Sequence, residues 1–183
     1  MRQADDPVTE PRERSSMADA AHPAHPVLTL EMLSQPRLLA AARAMVGNFA
    51  QRQGFNEVQC GQISLAIDEA LCNIINHGYE RRADGRITLR LWDLPGMPRG
   101  LKVVIEDRAR QVDPSTIRHR DLDDIRPGGL GVYIIREIMD EVCYECREGG
   151  GMRLTLVKRL VDGSVDPSAG TSAPACESTH GHD

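Results

Sequence analysis

The pattern of apolar and polar residues predicts a strand followed by two helices in the first half of the chain. Apolar residues alternate with polar ones over residues 27–32, as in a short edge strand. They then recur at helical spacing from Pro36 to Gly54, and these two residues suit the first turn and the end of a helix. The next helix is predicted over residues 58–77, because Asn56 is a suitable N-cap and the same spacing continues after it.

The second half of the chain predicts antiparallel strands around one further helix. Residues 107–127 have no clear periodicity, and a connection of this length within a compact domain is often a functional lid. The predicted elements are strands at 86–92 and 101–106, a helix at 132–139, and strands at 140–148 and 152–160. This order predicts an α+β fold, a two-layer α/β sandwich whose mixed, mostly antiparallel sheet is covered on one face by helices.

The two ends of the chain differ in composition from its middle. Residues 1–26 are polar and interrupted by proline, and residues 161–183 are rich in serine, glycine, proline and threonine. Neither end has the apolar periodicity that a packed element needs, so both are predicted to be disordered tails. Residues 27–160 remain, which is enough for one ordinary domain with its own core.

Composition and charge argue against several classes of protein. The net charge of −5 and the lack of a lysine or arginine stripe disfavour a nucleic-acid-binding surface. No apolar run approaches the ~18 residues of a membrane span, and the start of the chain does not resemble a signal peptide. These features predict a cytoplasmic protein with no nucleic-acid or membrane partner.

The five cysteines are predicted to be reduced thiols. Cys143 and Cys146 form a C-x-x-C pair inside a strand-like segment, where their side chains point to opposite faces of the sheet. They are therefore poorly placed to form a disulfide or to chelate one metal ion. No second pair stands at zinc-finger spacing, so no metal centre is predicted from the cysteines.

A polar pair interrupts the otherwise apolar face of the second predicted helix. Glu69 and Asn73 are four residues apart, so they lie one turn apart on the same helix face. Burying a carboxylate and a carboxamide without partners is strongly unfavourable. The pair therefore predicts a site that binds a cation or activates a hydroxyl group.

Two further segments point to nucleotide chemistry when they are combined with this pair. The glycine-rich turn at 128–131 opens the third predicted helix, where backbone amides can meet phosphate oxygens. By itself, this turn fits a flexible loop ending in a C-cap-like turn better than a phosphate site. Asp107 follows the second strand of the predicted hairpin, where a carboxylate is either a turn residue or an acceptor for an exocyclic amine such as that of adenine.

The order of the three motifs resembles a known superfamily. A Glu-x-x-x-Asn helix, a strand ending in Asp and a Gly-Gly-x-Gly turn occur in the ATPases shared by gyrase, histidine kinases, heat-shock chaperones and mismatch-repair proteins (GHKL). Within it, the segments 68–79 and 128–141 are similar to those of the anti-sigma-factor serine/threonine kinases. The resemblance covers residues 27–160 and implies a histidine-kinase-like ATPase fold.

The resemblance also implies an activity and its partners. It implies a kinase that uses ATP and Mg²⁺ to phosphorylate a small anti-anti-sigma (STAS-like) protein. Sequestration of a sigma factor and formation of a homodimer are options that it leaves open. Glu69 is implied as the general base for an attacking serine hydroxyl, Asn73 as the Mg²⁺ ligand and Asp107 as the acceptor for adenine. The implied nucleotide-binding set is Asn73, Asn76, His77, Asp107, Ala109, Gly128, Gly129, Leu130, Gly131 and Thr155.

Two positions differ from the family pattern and keep a second interpretation open. Ala109 and Gln111 stand where the family often has glycine, and an alanine with positive φ would be strained. These differences favour a non-catalytic switch module, gated by nucleotide or free of it, that only binds partners. The ATP-binding half of a histidine kinase is disfavoured, because His22 and His25 lie in the proline-rich first tail.

Overall fold

Five strands form one antiparallel sheet in the computed structural model of the protein, which describes residues 25–117 and 130–160. The strands are β1 (Leu28–Leu33), β2 (Arg86–Leu94), β3 (Gly100–Asp107), β4 (Glu141–Cys146) and β5 (Met152–Arg159). Their order across the sheet is β1-β2-β3-β5-β4, and all four pairings are antiparallel. The predicted α+β fold is confirmed. The sheet described is antiparallel throughout, however, and not mixed.

Three helices follow the predicted positions. They are α1 (Leu39–Gln53), α2 (Glu57–Asn73) and α3 (Leu130–Ile138). Asn56 caps α2 as predicted, because its side chain accepts a hydrogen bond from the Gln59 N–H at 2.9 Å and its own N–H donates to the Gln59 side chain at 3.0 Å. Gly54 ends α1 in the left-handed conformation, with φ of 99°. No helix in residues 25–117 and 130–160 has the length and apolarity to cross a membrane.

The helices cover one face of the sheet and form the hydrophobic core with it. Strand side chains alternate, so every second residue of a strand reaches this core. Each fully buried aliphatic side chain contributes about 1.5–3 kcal/mol of hydrophobic stabilisation. Fully buried members from the helices and the three central strands include Ile63, Ile67, Leu71, Ile87, Leu89, Leu91, Leu101, Ile105, Ile135 and Leu156.

The other face of the sheet carries a cluster of charges around Glu106, which is only 7% exposed. Arg90 pairs with one oxygen of Glu106, and Arg153 approaches the other at 2.8 Å. Arg147 adds a longer contact of 3.6 Å. Burial alone would raise the pKa of Glu106, but the hydrogen bonds from Arg90 and Arg153 and the charge of Arg147 outweigh it and hold the pKa below its usual value.

Glu106→Gln is expected to lower the free energy of unfolding at pH 7 by about 1–2 kcal/mol, because it removes the charge that the arginines share. The pKa of Glu106 is lowered by folding, so this stabilisation is present above the unfolded value of about 4.5 and is lost as pH falls through the folded value. Urea unfolding at pH 7 and pH 4 measures both effects. Glu31→Gln, an exposed acid on the same face, is the control. An equal loss of unfolding free energy at pH 7 and pH 4 would show that the stabilisation does not come from the ion pairs of Glu106.

Candidate functional site

A cleft of about 250 Å³ opens between the C-terminal part of α2, the end of β3 and the first residues of α3. Asn73 and His77 line it from the α2 side, and Asp107 lines it from the end of β3. Much of the remaining lining is apolar and includes Ile74 and Leu154. A mostly apolar cleft with a few convergent polar groups is typical of a small-molecule site.

The polar pair on α2 meets the N-terminus of α3. Glu69 and Asn73 are half-buried, one turn apart, as the sequence predicts. Gly131 lies directly against them, because a Cβ added there would be 2.7 Å from Glu69 Oε2 and 3.3 Å from Asn73 Nδ2. Glycine at 131 therefore allows the first turn of α3 to approach the carboxylate and the carboxamide.

A wide helical turn places His77 in the cleft. Residues Ile74–Gly78 form a π-helix at the end of α2, and the Tyr79 N–H donates to the Ile74 carbonyl at 2.8 Å. Such turns change the direction in which the following side chains point and are frequent at functional sites. Both Asn76 and His77 are exposed, but only His77 lines the cleft. The predicted helix at 58–77 thus ends as an α-helix at Asn73.

Asp107 is held at the far end of the cleft and is only 3% exposed. Its Oδ1 accepts hydrogen bonds from the N–H groups of Ala109 at 2.8 Å and Met152 at 3.2 Å. Among the described residues, Oδ2 has no hydrogen-bond partner and is free for a ligand. Burial raises the pKa of Asp107, and the two N–H groups and the charge of Arg147 oppose this rise.

Ala109 fits its position without backbone strain. Among the described non-glycine residues, positive φ occurs only at Glu80 and Arg81, so the expected strain at Ala109 is wrong. Its methyl group is buried against Gly78, where an added Cβ would lie 2.9 Å from the Cβ of Ala109. In this contact, Gly78 is therefore the residue that lacks a side chain, and Ala109 provides the methyl group that packs against it.

Sequence reasoning missed the residues that hold Asp107 in place. Gly151 has φ of 84°, and a Cβ added there would overlap the Asp107 carbonyl oxygen. Gln111 donates to the carbonyls of Arg147 at 2.7 Å and Gly151 at 3.1 Å. Tyr79, buried in the core, accepts a hydrogen bond from the Arg108 N–H at 2.9 Å. The consecutive glycines at 149–151 were the signal for a close approach here, but only folding shows which backbone they meet.

Several predicted site residues lie elsewhere or outside the described part of the chain. Thr155 pairs with Val104 and Cys143 in the sheet, and its neighbours Leu154 and Leu156 are in the core. Strand alternation therefore turns Thr155 away from the cleft, and this placement corrects its predicted role. Leu130 is 58% exposed at the start of α3. Gly128, Gly129, the lid residues 118–127, residues 1–24 of the first tail and the second tail at 161–183 lie outside the described residues.

The described residues provide no ready-made metal centre. Within 25–117 and 130–160, no three His, Cys, Asp or Glu side chains are grouped to hold an ion. The four cysteines described there, Cys60, Cys72, Cys143 and Cys146, are free thiols. Burial raises the pKa of Cys72, which lies next to Asn73, and the nearby Asp68 and Glu69 raise it further. That thiol is therefore not an activated nucleophile.

Comparison with known proteins identifies the family to which this arrangement belongs. The histidine kinase-like ATPase domain family matches residues 32–158 of the chain. The chain belongs to this family. The matched range includes Glu69, Asn73, Asp107 and Gly131, and the resemblance read from the three motifs is confirmed.

Related proteins carry the name serine-protein kinase RsbW. The protein from Listeria monocytogenes is 26% identical over 151 residues, which is 79% of this chain and 94% of that protein. The protein from Bacillus subtilis is 24% identical over 148 residues, covering 76% of this chain and 89% of that protein. A crystal structure of the RsbU and RsbW domains of a Mycobacterium tuberculosis protein is 18% identical, with a TM-score of 0.49. The match covers 72% of this chain and 31% of that one.

Proposed function

We propose that this protein is an ATP-dependent serine/threonine kinase that phosphorylates a small anti-anti-sigma (STAS-like) protein. The observation that carries the proposal is the contact at Gly131, where the N-terminus of α3 meets the Glu69 and Asn73 side chains. Phosphoryl transfer depends on positioning and charge neutralisation, and this contact brings a base, an amide ligand and helix N–H groups together. The relatives named serine-protein kinases support the same activity.

Asp107 and the apolar walls of the cleft suit an adenine ring. The free Oδ2 of Asp107 is an acceptor for the exocyclic amine, while the bonds to its Oδ1 fix the carboxylate. Ile74 and Leu154 provide apolar surface beside it. A buried acceptor discriminates strongly against a base that lacks the matching donor, because the acceptor would then lose its hydrogen bonds to water without replacement.

Mg²⁺ fits the side chains that the cleft presents. The chain offers no cluster of acidic ligands among its described residues, and Mg²⁺ prefers few protein ligands, several waters and the phosphates of its nucleotide. Asn73 is the residue that would hold the ion through its carboxamide oxygen. When bound, Mg²⁺ would neutralise the charge of the phosphate oxygens.

Glu69 would accept the proton of the attacking hydroxyl. It lies one helical turn before Asn73 and next to the first turn of α3, so one face of α2 holds both the nucleotide and the base. The hydroxyl is that of a serine on the partner protein. We also propose that the protein acts in the cytoplasm, where ATP and bacterial sigma factors are present, and that sequestration of a sigma factor accompanies the kinase activity.

The non-catalytic alternative loses its main support in the structure. It rested on Ala109 and Gln111 in place of glycine. Ala109 lies in the cleft without positive φ, and Gln111 holds the loop that packs against Asp107. Both substitutions are therefore compatible with a formed nucleotide cleft.

The proposal is tested by isothermal titration calorimetry with ATP and Mg²⁺. Asn73→Ala is expected to weaken ATP binding about tenfold or more, because the carboxamide ligand is lost. Asn48→Ala is the matched control, since Asn48 is an exposed asparagine of α1 whose side chain, within residues 25–117 and 130–160, bonds only the Ala44 carbonyl of its own helix. Absence of ATP binding by the unaltered protein, or equal weakening of ATP binding by both variants, would contradict the proposed nucleotide site. Incubation with a candidate partner and radiolabelled ATP then tests for phosphoserine.

A further inference from the structure

A second pocket lies on the open face of the sheet, opposite the helices, and has a volume of about 500 Å³. We call it the arginine pocket, because four arginine residues line it. They are Arg86, Arg90, Arg108 and Arg147. The Asp107 backbone separates this pocket from the nucleotide cleft, and Arg147 donates a hydrogen bond to the Asp107 carbonyl at 2.6 Å. The kinase proposal assigns no role to this pocket.

The positive charge of the arginine pocket is not balanced within the described residues. Glu106 is the shared partner of Arg90, Arg147 and Arg153. Arg86 and Arg108 form no ion pair anywhere in 25–117 and 130–160. This local surplus of positive charge is unusual on a chain whose net charge is −5.

The carboxylates near the pocket do not remove the surplus. Asp107 directs its Oδ1 to N–H groups on the cleft side. Glu31, on the edge strand β1, also lines the pocket, is exposed and forms no ion pair among the described residues, so the lining has four arginines against the three carboxylates of Glu31, Glu106 and Asp107. Two guanidinium groups without an ion pair among the described residues, beside three arginines that share the single carboxylate of Glu106, attract an external anion, and planar guanidinium groups suit carboxylates in particular.

The shape and lining of the arginine pocket favour a peptide over a small free anion. Its volume exceeds what one inorganic ion fills, and its lining includes the exposed Leu33 and the polar Thr88. Leu33 is 40% exposed at the edge of the sheet, where it offers apolar contact to a bound chain. A ligand that carries carboxylates and apolar side chains together matches this lining.

We propose that the arginine pocket is a docking site for an acidic segment of a protein partner, whose carboxylates contact Arg86 and Arg108 and whose apolar side chains contact Leu33. We choose an acidic segment as the occupant because its negative charge complements the positive charge of the arginines. A second copy of this chain is a poorer fit, because a symmetric dimer through this face would bring two arginine-lined pockets of like charge together.

Fluorescence anisotropy with the full chain, without nucleotide, tests the proposal. The probes are a fluorescein-labelled hexaglutamate peptide and the same length of polyglutamine. Arg86→Gln/Arg108→Gln is expected to weaken hexaglutamate binding about tenfold or more. Arg37→Gln/Arg52→Gln removes the same charge from exposed positions outside the pocket and is expected to leave binding unchanged. Added salt should weaken binding, since exposed charges are screened beyond about 10 Å at 0.1 M.

Several results would contradict the proposal that an acidic segment docks in the arginine pocket. Equal weakening by both double variants would show attraction to the whole surface and not to the pocket. Failure of the unaltered protein to bind hexaglutamate, or equal binding of polyglutamine, would also reject the proposal. A dimer in sedimentation velocity that excludes the peptide would assign the face to a second copy. Circular dichroism establishes that the variants are folded, and the single variant Arg108→Gln retests the site if the double variant is not. None of these results depends on ATP binding at Asn73.

Discussion

Glu69→Gln is expected to slow phosphoryl transfer by about 10²–10⁴-fold, the usual contribution of a general base, while ATP affinity changes little. Glutamine keeps the size of the side chain next to Gly131 but cannot accept the proton of a serine hydroxyl. Its carboxamide also fits beside the N-terminus of α3 without adding volume, so the contact with Gly131 is retained. The effect should therefore appear in the rate of chemistry and not in nucleotide binding.

Two measurements separate chemistry from binding for this variant. Single-turnover phosphoryl transfer from ATP to the unphosphorylated partner protein gives the chemical rate, and calorimetry with ATP gives the affinity. Glu137→Gln, an exposed acid on α3, is the matched control and should keep the rate of the unaltered protein. An unchanged transfer rate in Glu69→Gln would assign the base to another residue. A parallel loss of ATP affinity would give Glu69 a binding role instead.

Gly151→Ala is expected to lower the free energy of unfolding by about 2–4 kcal/mol, the largest stability effect among these substitutions. Two causes add. The residue has φ of 84°, which an alanine adopts only with strain, and the added Cβ would overlap the Asp107 carbonyl oxygen. The backbone that must move is the segment that carries Asp107, so ATP binding should weaken as well.

Gly149→Ala separates the two causes. Gly149 has φ of 79°, close to that of Gly151, but an added Cβ there meets nothing within 4 Å. It should therefore show only the backbone strain, about 1–2 kcal/mol, and leave ATP affinity unchanged. Urea unfolding and calorimetry on both variants provide the comparison. Equal destabilisation by the two substitutions would show that contact with Asp107 has no part in the effect.

The order of the helices and strands could be predicted from local sequence features. Helices were predictable because apolar residues recur at helical spacing and because caps such as Asn56 and Gly54 act over a single turn. Strand faces were predictable because side chains alternate. The same local rule places Glu69 and Asn73 on one face of α2, which is why the sequence identified this half of the site.

Contacts between segments that are distant in the sequence could not be predicted in this way. Only the packed structure shows that Gly131 lies against Glu69, that Gly151 meets Asp107, and that Ala109 packs on Gly78. Thr155 illustrates the same limit, because one step of register along β5 decides whether a side chain faces the cleft or the open face.

The sequence by itself therefore determined the family, the secondary structure and the polar pair on α2, since each depends on spacing within one segment. The tertiary structure alone decided how Asp107 is held, why alanine is accepted at 109 and where arginines gather around Glu106. These features join residues that are far apart in the chain, and backbone packing and sheet register set their distances.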